Sequence, residues 1–153
     1  MIIEPDFVLT NVRATSKKQV LAEIAQQVSD YLDGQCTVSA LLEALVEREK
    51  IGSTAIGNGV AIPHMRIECL DKCLSGFIRL ERPVNFEAVD GEPVDLIYVF
   101  LAPERPNAKT ASLMQLARIS NFFRDKGFRN SLRETNNVIS LIHHRNDEIV
   151  RAA

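Results

Sequence analysis

Hydrophobic positions recur at helical spacing in two segments of the first third of the chain. "TSKKQVLAEIAQQVSDYLDG" (15–34) predicts an amphipathic helix with Ser16 at its N-cap. "TVSALLEALVEREK" (37–50) predicts a second helix that begins at Thr37 or Ser39. Both segments place their apolar residues along one stripe, so each helix should bury one face. The stripe of the first helix consists of Val20, Leu21, Ile24, Val28 and Leu32.

A different periodicity, typical of strands, occupies the middle of the chain. "VAIP" (60–63) is short, β-prone and closed by a proline, and "CLSGFIRL" (73–80) alternates between two faces. The turn signal Asp90-Gly91 precedes "VDLIYVFLAP" (94–103), a continuous apolar run. Such a run predicts a central strand that is buried on both faces.

Helical spacing returns in the last third. "NAKTASLMQLARISNFFRD" (107–125) predicts a helix, and "TNNVISLIHHRNDEIV" (135–150) predicts another, capped by Thr135 or Asn136. "FFRDKGFR" (122–129) is either an exposed docking patch or a helix end packed on the sheet. Helices before, between and after strands predict an α/β or α+β fold with a mixed sheet. The apolar stripe Leu113, Leu116, Ile119 and Phe123 is expected in the core.

Composition narrows the class of protein. With 153 residues, 46% hydrophobic and 25% charged, the chain is expected to form a single domain. A net charge of −2 with scattered Lys and Arg argues against nucleic acid or a membrane surface as the main partner. No apolar run is long enough for a spanning helix, and the N-terminus does not resemble a secretory signal. The three cysteines are expected to be reduced thiols, so the predicted location is the cytoplasm.

The segment "IGSTAIGNGVAIPHMR" (51–66) carries the most informative chemistry. Gly52 and Gly57 have the spacing of P-loop glycines, but Asn58 and Gly59 stand where a nucleotide-binding loop needs Lys and then Ser or Thr. Without that lysine, no side chain reaches the terminal phosphates of a nucleotide. ATP binding by this route is therefore not expected.

The same loop could hold a phosphate carried by another molecule. Glycines let backbone N–H groups turn toward an anion, Ser53, Thr54 and Asn58 add donors, and Arg48 supplies a fork for two phosphate oxygens. Neutral imidazole, here His64, attacks phosphorus and forms a phosphohistidine. The alternative from the residues alone is that His64 caps a strand end and the loop merely connects a helix to a strand.

Other groups of chemically active residues give weaker evidence of a functional site. His143 and His144 are neighbours on a predicted helix, so their side chains point about 100° apart and do not bind one metal ion together. Cys69 and Cys73 lack the paired spacing and ligand number of a structural zinc site, so no metal is expected. Paired carboxylates for hydrolysis are not evident. Glu47 and Glu49, on either side of Arg48, are expected on a solvated helix face. Asp90 and Asp95 are expected to border a turn and a strand.

A long stretch of the chain resembles a known family. "REKIGSTAIGNGVAIPH", "SKK" at the first helix and "RPVNFEAVDGEPVDLIYVFLAP" resemble the EIIA proteins of the fructose–mannitol class of the bacterial phosphoenolpyruvate phosphotransferase system, in particular their nitrogen-regulatory branch. The resemblance implies a single EIIA type-2 domain over 1–153. Its implied fold is α/β, a central mixed β-sheet flanked by helices on both faces.

The resemblance also implies a function. His64 would accept a phosphoryl group, through Nε2, from a phosphorylated HPr-type carrier protein, with Arg48 neutralising the phosphate. The chain would then be a phosphoryl-transfer component, not a stand-alone turnover enzyme, and it would need no cofactor. Regulated targets, for example a potassium transporter or a sensor kinase, would respond to its phosphorylation state. Two alternatives stay open: a sugar-transport EIIA that passes the group to an EIIB domain, and a phosphate-independent binding module.

Two positions depart from the family pattern. Met65 follows the histidine where the family usually has a small residue, and it either reshapes the rim or makes a tolerated apolar contact. Ser112 stands where the family commonly has a second histidine. A serine hydroxyl hydrogen-bonds imidazole or phosphate but carries no positive charge. Lys109, one turn earlier, would partly compensate.

Overall fold

A six-stranded mixed sheet forms the centre of the protein, and helices cover both of its faces. The computed structural model describes residues 3–152. The elements in chain order are β1 (Phe7–Val12), α1 (Lys17–Tyr31), α2 (Val38–Ile51), β2 (Ala55–Gly57), β3 (Val60–Ala61), β4 (His64–Ile67), β5 (Leu74–Val84), β6 (Val94–Pro103), α3 (Ala108–Phe122), α4 (Lys126–Glu134) and α5 (Val138–Ala152).

Strand β6 organises the sheet. The order is β1-β5-β6-β3-β2, and β4 also pairs with β6 beyond the end of β3. β5 runs antiparallel to β6, whereas β3 and β4 run parallel to it. In β4, His64 stands opposite Phe100. The mixed sheet and the two helical layers confirm the fold expected from the sequence.

Alternate residues of β6 pack into two separate cores, which explains why its residues from Leu96 onward are all apolar or aromatic. Ile97, Val99 and Leu101 pack beneath α1 and α2. Tyr98 and Phe100 belong to the opposite core, beneath α3, α4 and α5. Because neighbouring side chains of a strand point to opposite faces, a strand covered on both sides needs apolar residues at every position.

The helix boundaries follow local signals. Ser16 caps α1 by accepting a hydrogen bond from the Gln19 N–H, and Thr37, rather than Ser39, caps α2 by accepting from the Ala40 N–H. At α5, Asn137 fills this role, since its Oδ1 accepts from the Ser140 N–H at 3.0 Å. The predicted caps Thr135 and Asn136 were therefore one or two residues too early.

Two expectations about side-chain environment also change. Leu113 is 55% exposed, whereas Ile119 and Phe123 of the same predicted stripe are buried. The N-terminal half of α3 thus covers the sheet less closely than its C-terminal half. "FFRDKGFR" is the packed helix end, because Phe122, Phe123 and Phe128 are buried against one another.

The expectation of three reduced cysteines was wrong in this structure. Cys36, between α1 and α2, forms a disulfide with Cys69, between β4 and β5, and only Cys73 among the three is free. The two partners lie 33 residues apart in sequence, with their Cα atoms 5.5 Å apart. Spacing along the chain could not reveal this pair, because tertiary packing brings the two connections together.

Within residues 3–152, no helix combines the length and apolar character that crossing a membrane requires.

Candidate functional site

His64 begins β4, and the backbone before it fixes the orientation of its ring. The Nδ1 atom lies 2.7 Å from the carbonyl oxygen of Ile62. Phe100 of β6 donates its N–H to the Pro63 carbonyl at 2.9 Å, which ties the approach to β4 to the central strand. The imidazole is half-buried at the edge of the sheet.

Arg48, in the last turn of α2, meets the other ring nitrogen. Its Nη1 donates to the Gly52 carbonyl at 3.0 Å, and its Nη2 lies 3.3 Å from His64 Nε2. Arginine only donates and a carbonyl only accepts, so both contacts are satisfied by one neutral tautomer. In that tautomer Nδ1 carries the proton toward Ile62, and Nε2 presents a lone pair.

His64, together with the Arg48 side chain that contacts its Nε2, borders a small hollow of about 290 Å³. Three cations line this hollow, Arg48, Arg66 and Lys109, against one carboxylate, Glu104, which pairs with Arg66 at 3.6 Å. The excess of positive charge favours an anionic group beside the imidazole. The remaining lining comes from Met65, Phe100, Ala102, Ser112, Leu113 and Leu116.

The surroundings of His64 lower its pKa from the ordinary value. Burial of the ring is the largest cause, and the nearby Arg48 charge acts in the same direction. The hydrogen bond to the Ile62 carbonyl and the charge of Glu49 oppose this lowering without cancelling it. The imidazole is therefore predominantly neutral at pH 7 and available as a nucleophile.

The two departures from the family pattern both lie at this hollow. Met65 lines it but also packs, half-buried, against the core beneath α1 and α2. The apolar contact of this thioether is therefore observed, while its effect on the docking of a carrier stays a prediction. Ser112 lines the same hollow from α3, where Lys109 stands one turn before it. A larger neighbouring hollow of about 670 Å³ shares Ser112 and Phe100, so the surface around the histidine continues as a groove.

Ser53 and Thr54 do not face this hollow. The Ser53 hydroxyl donates to the Phe86 carbonyl, and the buried Thr54 hydroxyl donates to the carboxylate of Glu49. Their donors are therefore engaged within the fold. These side chains support the loop from behind the histidine.

Gly57 ends β2, and Asn58 and Gly59 form the tight connection to β3; all three lie outside the lining of the hollow. All three have positive φ. The Asn58 N–H donates to Asp90 Oδ2 at 2.8 Å, and its carbonyl accepts from Arg133 at 2.9 Å. This connection is held by α4 and by the turn before β6, away from the imidazole.

Glu49, which was expected on a solvated helix face, is largely buried. The carboxylate of Glu49 accepts a hydrogen bond from the Thr54 N–H at 3.1 Å and pairs with Lys17 Nζ at 3.0 Å. The signal was present in the sequence: Glu49 continues the i, i+4 series of the buried Leu41 and Leu45 on α2. Glu47, by contrast, is exposed as expected.

His143 and His144 have different partners, in keeping with their divergent directions on α5. His143 Nε2 lies 3.8 Å from Glu4, and His144 Nε2 lies 3.0 Å from Glu148. Cys69, the other candidate ligand beside Cys73, is bonded to Cys36. In the described part of the chain, no three His, Cys, Asp or Glu side chains gather as a metal site requires.

Comparisons with known proteins agree with this architecture. The profile of the family described as "Phosphoenolpyruvate-dependent sugar phosphotransferase system, EIIA 2" matches residues 1–144. A nitrogen regulatory protein of Bradyrhizobium diazoefficiens is 43% identical over 132 residues, which are 86% of this chain and 84% of that protein.

Solved structures give the same result. The nitrogen regulatory protein IIA-Ntr of Neisseria meningitidis superposes with a TM-score of 0.81 at 34% identity, covering 91% of this chain and 92% of that one. The IIA mannitol enzyme of Escherichia coli, solved in complex with phosphorylated IIB mannitol enzyme, has a TM-score of 0.70 at 18% identity, covering 90% and 94%, and shares the fold. This chain belongs to the EIIA type 2 family of the phosphoenolpyruvate-dependent sugar phosphotransferase system, and its resemblance is to the nitrogen regulatory proteins of that family.

Proposed function

We propose that this protein is a phosphocarrier that accepts a phosphoryl group on His64 Nε2 from a phosphorylated HPr-type carrier and regulates partner proteins through its phosphorylation state. One observation carries the proposal. Arg48 and the Ile62 carbonyl contact the two ring nitrogens so that Nε2 is the unprotonated nitrogen, and its lone pair faces Arg48 at a cationic hollow. Family membership supports the general role, and the geometry supports this residue as the acceptor.

The transfer step needs few groups. Arg48 Nη2 first gives up its hydrogen bond to Nε2. The Nε2 lone pair then attacks phosphorus while the bond from phosphorus to the donor atom breaks, and the electron pair leaves with the donor. The Nδ1 proton stays hydrogen-bonded to the Ile62 carbonyl throughout. Arg48 Nη2, now 3.3 Å from Nε2, is within reach of a phosphoryl oxygen attached there. Ser112 and Lys109 supply further donors from α3.

The regulatory output follows from charge. A phosphoryl group adds nearly two negative charges at one point of the surface, which creates or abolishes a complementary interface. The groove beside His64, with the exposed Leu113 and Met114 on α3, offers apolar area around that point. Regulated targets, such as a transporter or a sensor kinase, belong to this proposal. The cytoplasmic location belongs to it too, and it rests on the family and not on the cysteines, two of which form a disulfide.

The test is phosphorylation from phosphoenolpyruvate through enzyme I and an HPr-type carrier. We expect an acid-labile phosphoryl mass increment on the intact wild-type protein and none on His64→Ala. His144→Ala is the matched control, since it removes an exposed histidine on another element. Labelling that persists in His64→Ala would contradict the acceptor assignment. A folded wild-type protein that no carrier labels would favour the phosphate-independent binding module.

A second assay separates regulation from sugar transport. The phosphorylated protein is incubated with EIIB domains, and loss of the label is followed over time. Retention of the phosphoryl group supports the regulatory role. Rapid transfer to an EIIB domain would instead support the sugar-transport alternative.

A further inference from the structure

Lys17 and Glu49 form a largely buried ion pair directly behind the histidine. Lys17 Nζ lies 3.0 Å from Glu49 Oε2, and the two side chains are only 16% and 6% exposed. Removing two charges from water is costly, and well-packed apolar residues often stabilise a fold equally well. Such a pair is therefore poorly explained by stability alone.

Glu49 uses both carboxylate oxygens to hold the loop that follows α2. Oε2 accepts the Thr54 N–H at 3.1 Å, and Oε1 accepts the Thr54 hydroxyl. The residue before it on the helix is Arg48, which contacts the imidazole. One end of α2 thus binds the ring through Arg48 and the loop through Glu49.

Thr54 passes this restraint to the histidine. Its carbonyl accepts the Ile62 N–H at 2.9 Å, and the Ile62 carbonyl accepts the Nδ1 proton of His64 at 2.7 Å. Hydrogen bonds therefore run without interruption from Glu49 through Thr54 and Ile62 to the ring nitrogen that must keep its proton.

Lys17 anchors the far end of this series. Its Nζ lies 3.5 Å from the Phe86 carbonyl and 5.3 Å from the centre of the Phe86 ring. A second carboxylate, the exposed Glu87, is 3.9 Å away. Lys17 thereby joins the start of α1 to the end of α2 and to the connection between β5 and β6.

We propose that Lys17 and Glu49 are positioning residues for phosphoryl transfer at His64. Resting on the function proposed above, the inference is that the pair fixes Thr54 and, through it, the Ile62 carbonyl that selects the reactive tautomer. Neither side chain lines the hollow, so neither touches the phosphoryl group. Their effect reaches the reacting atom through Arg48 on one side and Ile62 on the other.

The direct test measures the tautomer of His64 by ¹⁵N-resolved NMR of the imidazole in the unphosphorylated protein. In the wild type we expect a protonated Nδ1 and an unprotonated Nε2. Glu49→Gln, which keeps the shape but removes the charge, should give a mixture of tautomers. Glu47→Gln is the matched control, since Glu47 forms an exposed pair with Lys50 on the same helix. An unchanged tautomer in a folded Glu49→Gln protein would overturn the proposal.

The kinetics of phosphoryl transfer supply an independent test of the positioning role. Small misplacement of reacting groups costs about 10- to 100-fold in rate. We expect kcat of phosphorylation to fall by at least about tenfold in Glu49→Gln and in Lys17→Met, with KM for the carrier unchanged, because neither side chain is on the docking surface. Lys17→Arg should restore most of the rate. Equal losses in Lys17→Arg and Lys17→Met, or a change confined to KM, would contradict a positioning role.

The two proposals fail in different ways. If the wild-type protein accepts no phosphoryl group, the proposed function fails, yet the tautomer measurement still decides the role of the pair. If phosphorylation is normal in both variants, the positioning role fails and the phosphocarrier stands. Should Glu49→Gln not fold, Lys17→Met and Lys17→Arg decide through the same two measurements, since the Lys17 side chain is 16% exposed and its substitution leaves both hydrogen bonds between Glu49 and Thr54 in place.

Discussion

Breaking the Cys36–Cys69 disulfide should destabilise the protein by a calculable amount. The crosslink closes a loop whose ends are 33 residues apart. The chain-entropy relation for such a loop gives about 12.5 cal/mol/K, or about 3.7 kcal/mol of stabilisation at 25 °C. For 153 residues the entropy of unfolding is about 320 cal/mol/K, so reduction should lower Tm by about 12 °C.

The assay is thermal unfolding of the wild type with and without reductant, followed by circular dichroism. Cys36→Ala/Cys69→Ala should match the reduced wild type, apart from the small loss of packing at Cys36, and should not respond to reductant. Cys73→Ser is the matched control and should keep the full response, because Cys73 is free and exposed. Alkylation followed by mass analysis counts the free thiols in each sample.

Two results would refute this reasoning. Three alkylated thiols in the untreated protein would mean that the disulfide does not form under those conditions. A disulfide that is present but whose reduction leaves Tm unchanged would mean that the two connections remain together without it. The Gln35 side chain, which donates to the Cys69 carbonyl at 2.8 Å, is the contact that would hold them.

Three further predictions concern the site and its supports. Burial and the Arg48 charge lower the pKa of His64, so its NMR titration midpoint should lie below 6.5 and the phosphorylation rate should fall as the pH drops through that midpoint. Arg48→Ala should raise the midpoint, and a midpoint that falls instead would contradict the assigned charge effect. Gly59→Ala should lower the free energy of unfolding, measured in urea, by about 1–3 kcal/mol. The reason is that φ of Gly59 is +79° and an added Cβ would lie 2.5 Å from Arg133 Nη2. An unchanged midpoint of unfolding would argue against this close approach. Asn146→Ala should lower the free energy of unfolding by about 2 kcal/mol in the same assay, because the buried Asn146 amide donates to the Ile3 carbonyl and accepts from the Ile3 N–H. A loss below about 0.5 kcal/mol would mean that water replaces the amide.

The centre of the site could be predicted because its signals are local. Arg48 and His64 are 16 residues apart, at the end of one predicted helix and the end of one short apolar segment, and the structure joins them at 3.3 Å. The directions of the intervening side chains could not be predicted in this way. The sequence shows that Ser53 and Thr54 have hydroxyl donors, but it does not show which acceptors they bind. That depends on the positions of Phe86 and Glu49 in the folded protein.

Glu49 illustrates how a local pattern is misread without its partner. A charged residue near a helix end usually lies in solvent. Glu49 does continue the i, i+4 series of the buried Leu41 and Leu45, but that spacing does not reveal the partner that a buried charge needs. Its burial becomes tolerable only because Lys17, 32 positions earlier, arrives from another helix. The same argument applies to Cys36 and Cys69, whose pairing depends on how the α1–α2 layer sits on the sheet.

The sequence by itself determined the elements whose patterns repeat over many residues. The stripes of α1 and α2, the cap Ser16 of α1 and the apolar run of β6 from Leu96 onward are set by local spacing and by burial on one face or two. Local hydrogen bonds and amphipathicity depend only on neighbours, so the sequence contains them directly.

Tertiary structure alone decided the pairings between distant segments. The edge strand β1 is short, its apolar pattern is interrupted by Thr10 and Asn11, and it pairs with β5, more than 60 positions later. Likewise β4 is ordered by β6, which places His64 opposite Phe100 and beside the hollow. These segments are short, and their backbone hydrogen bonds are satisfied only when a remote partner is in place.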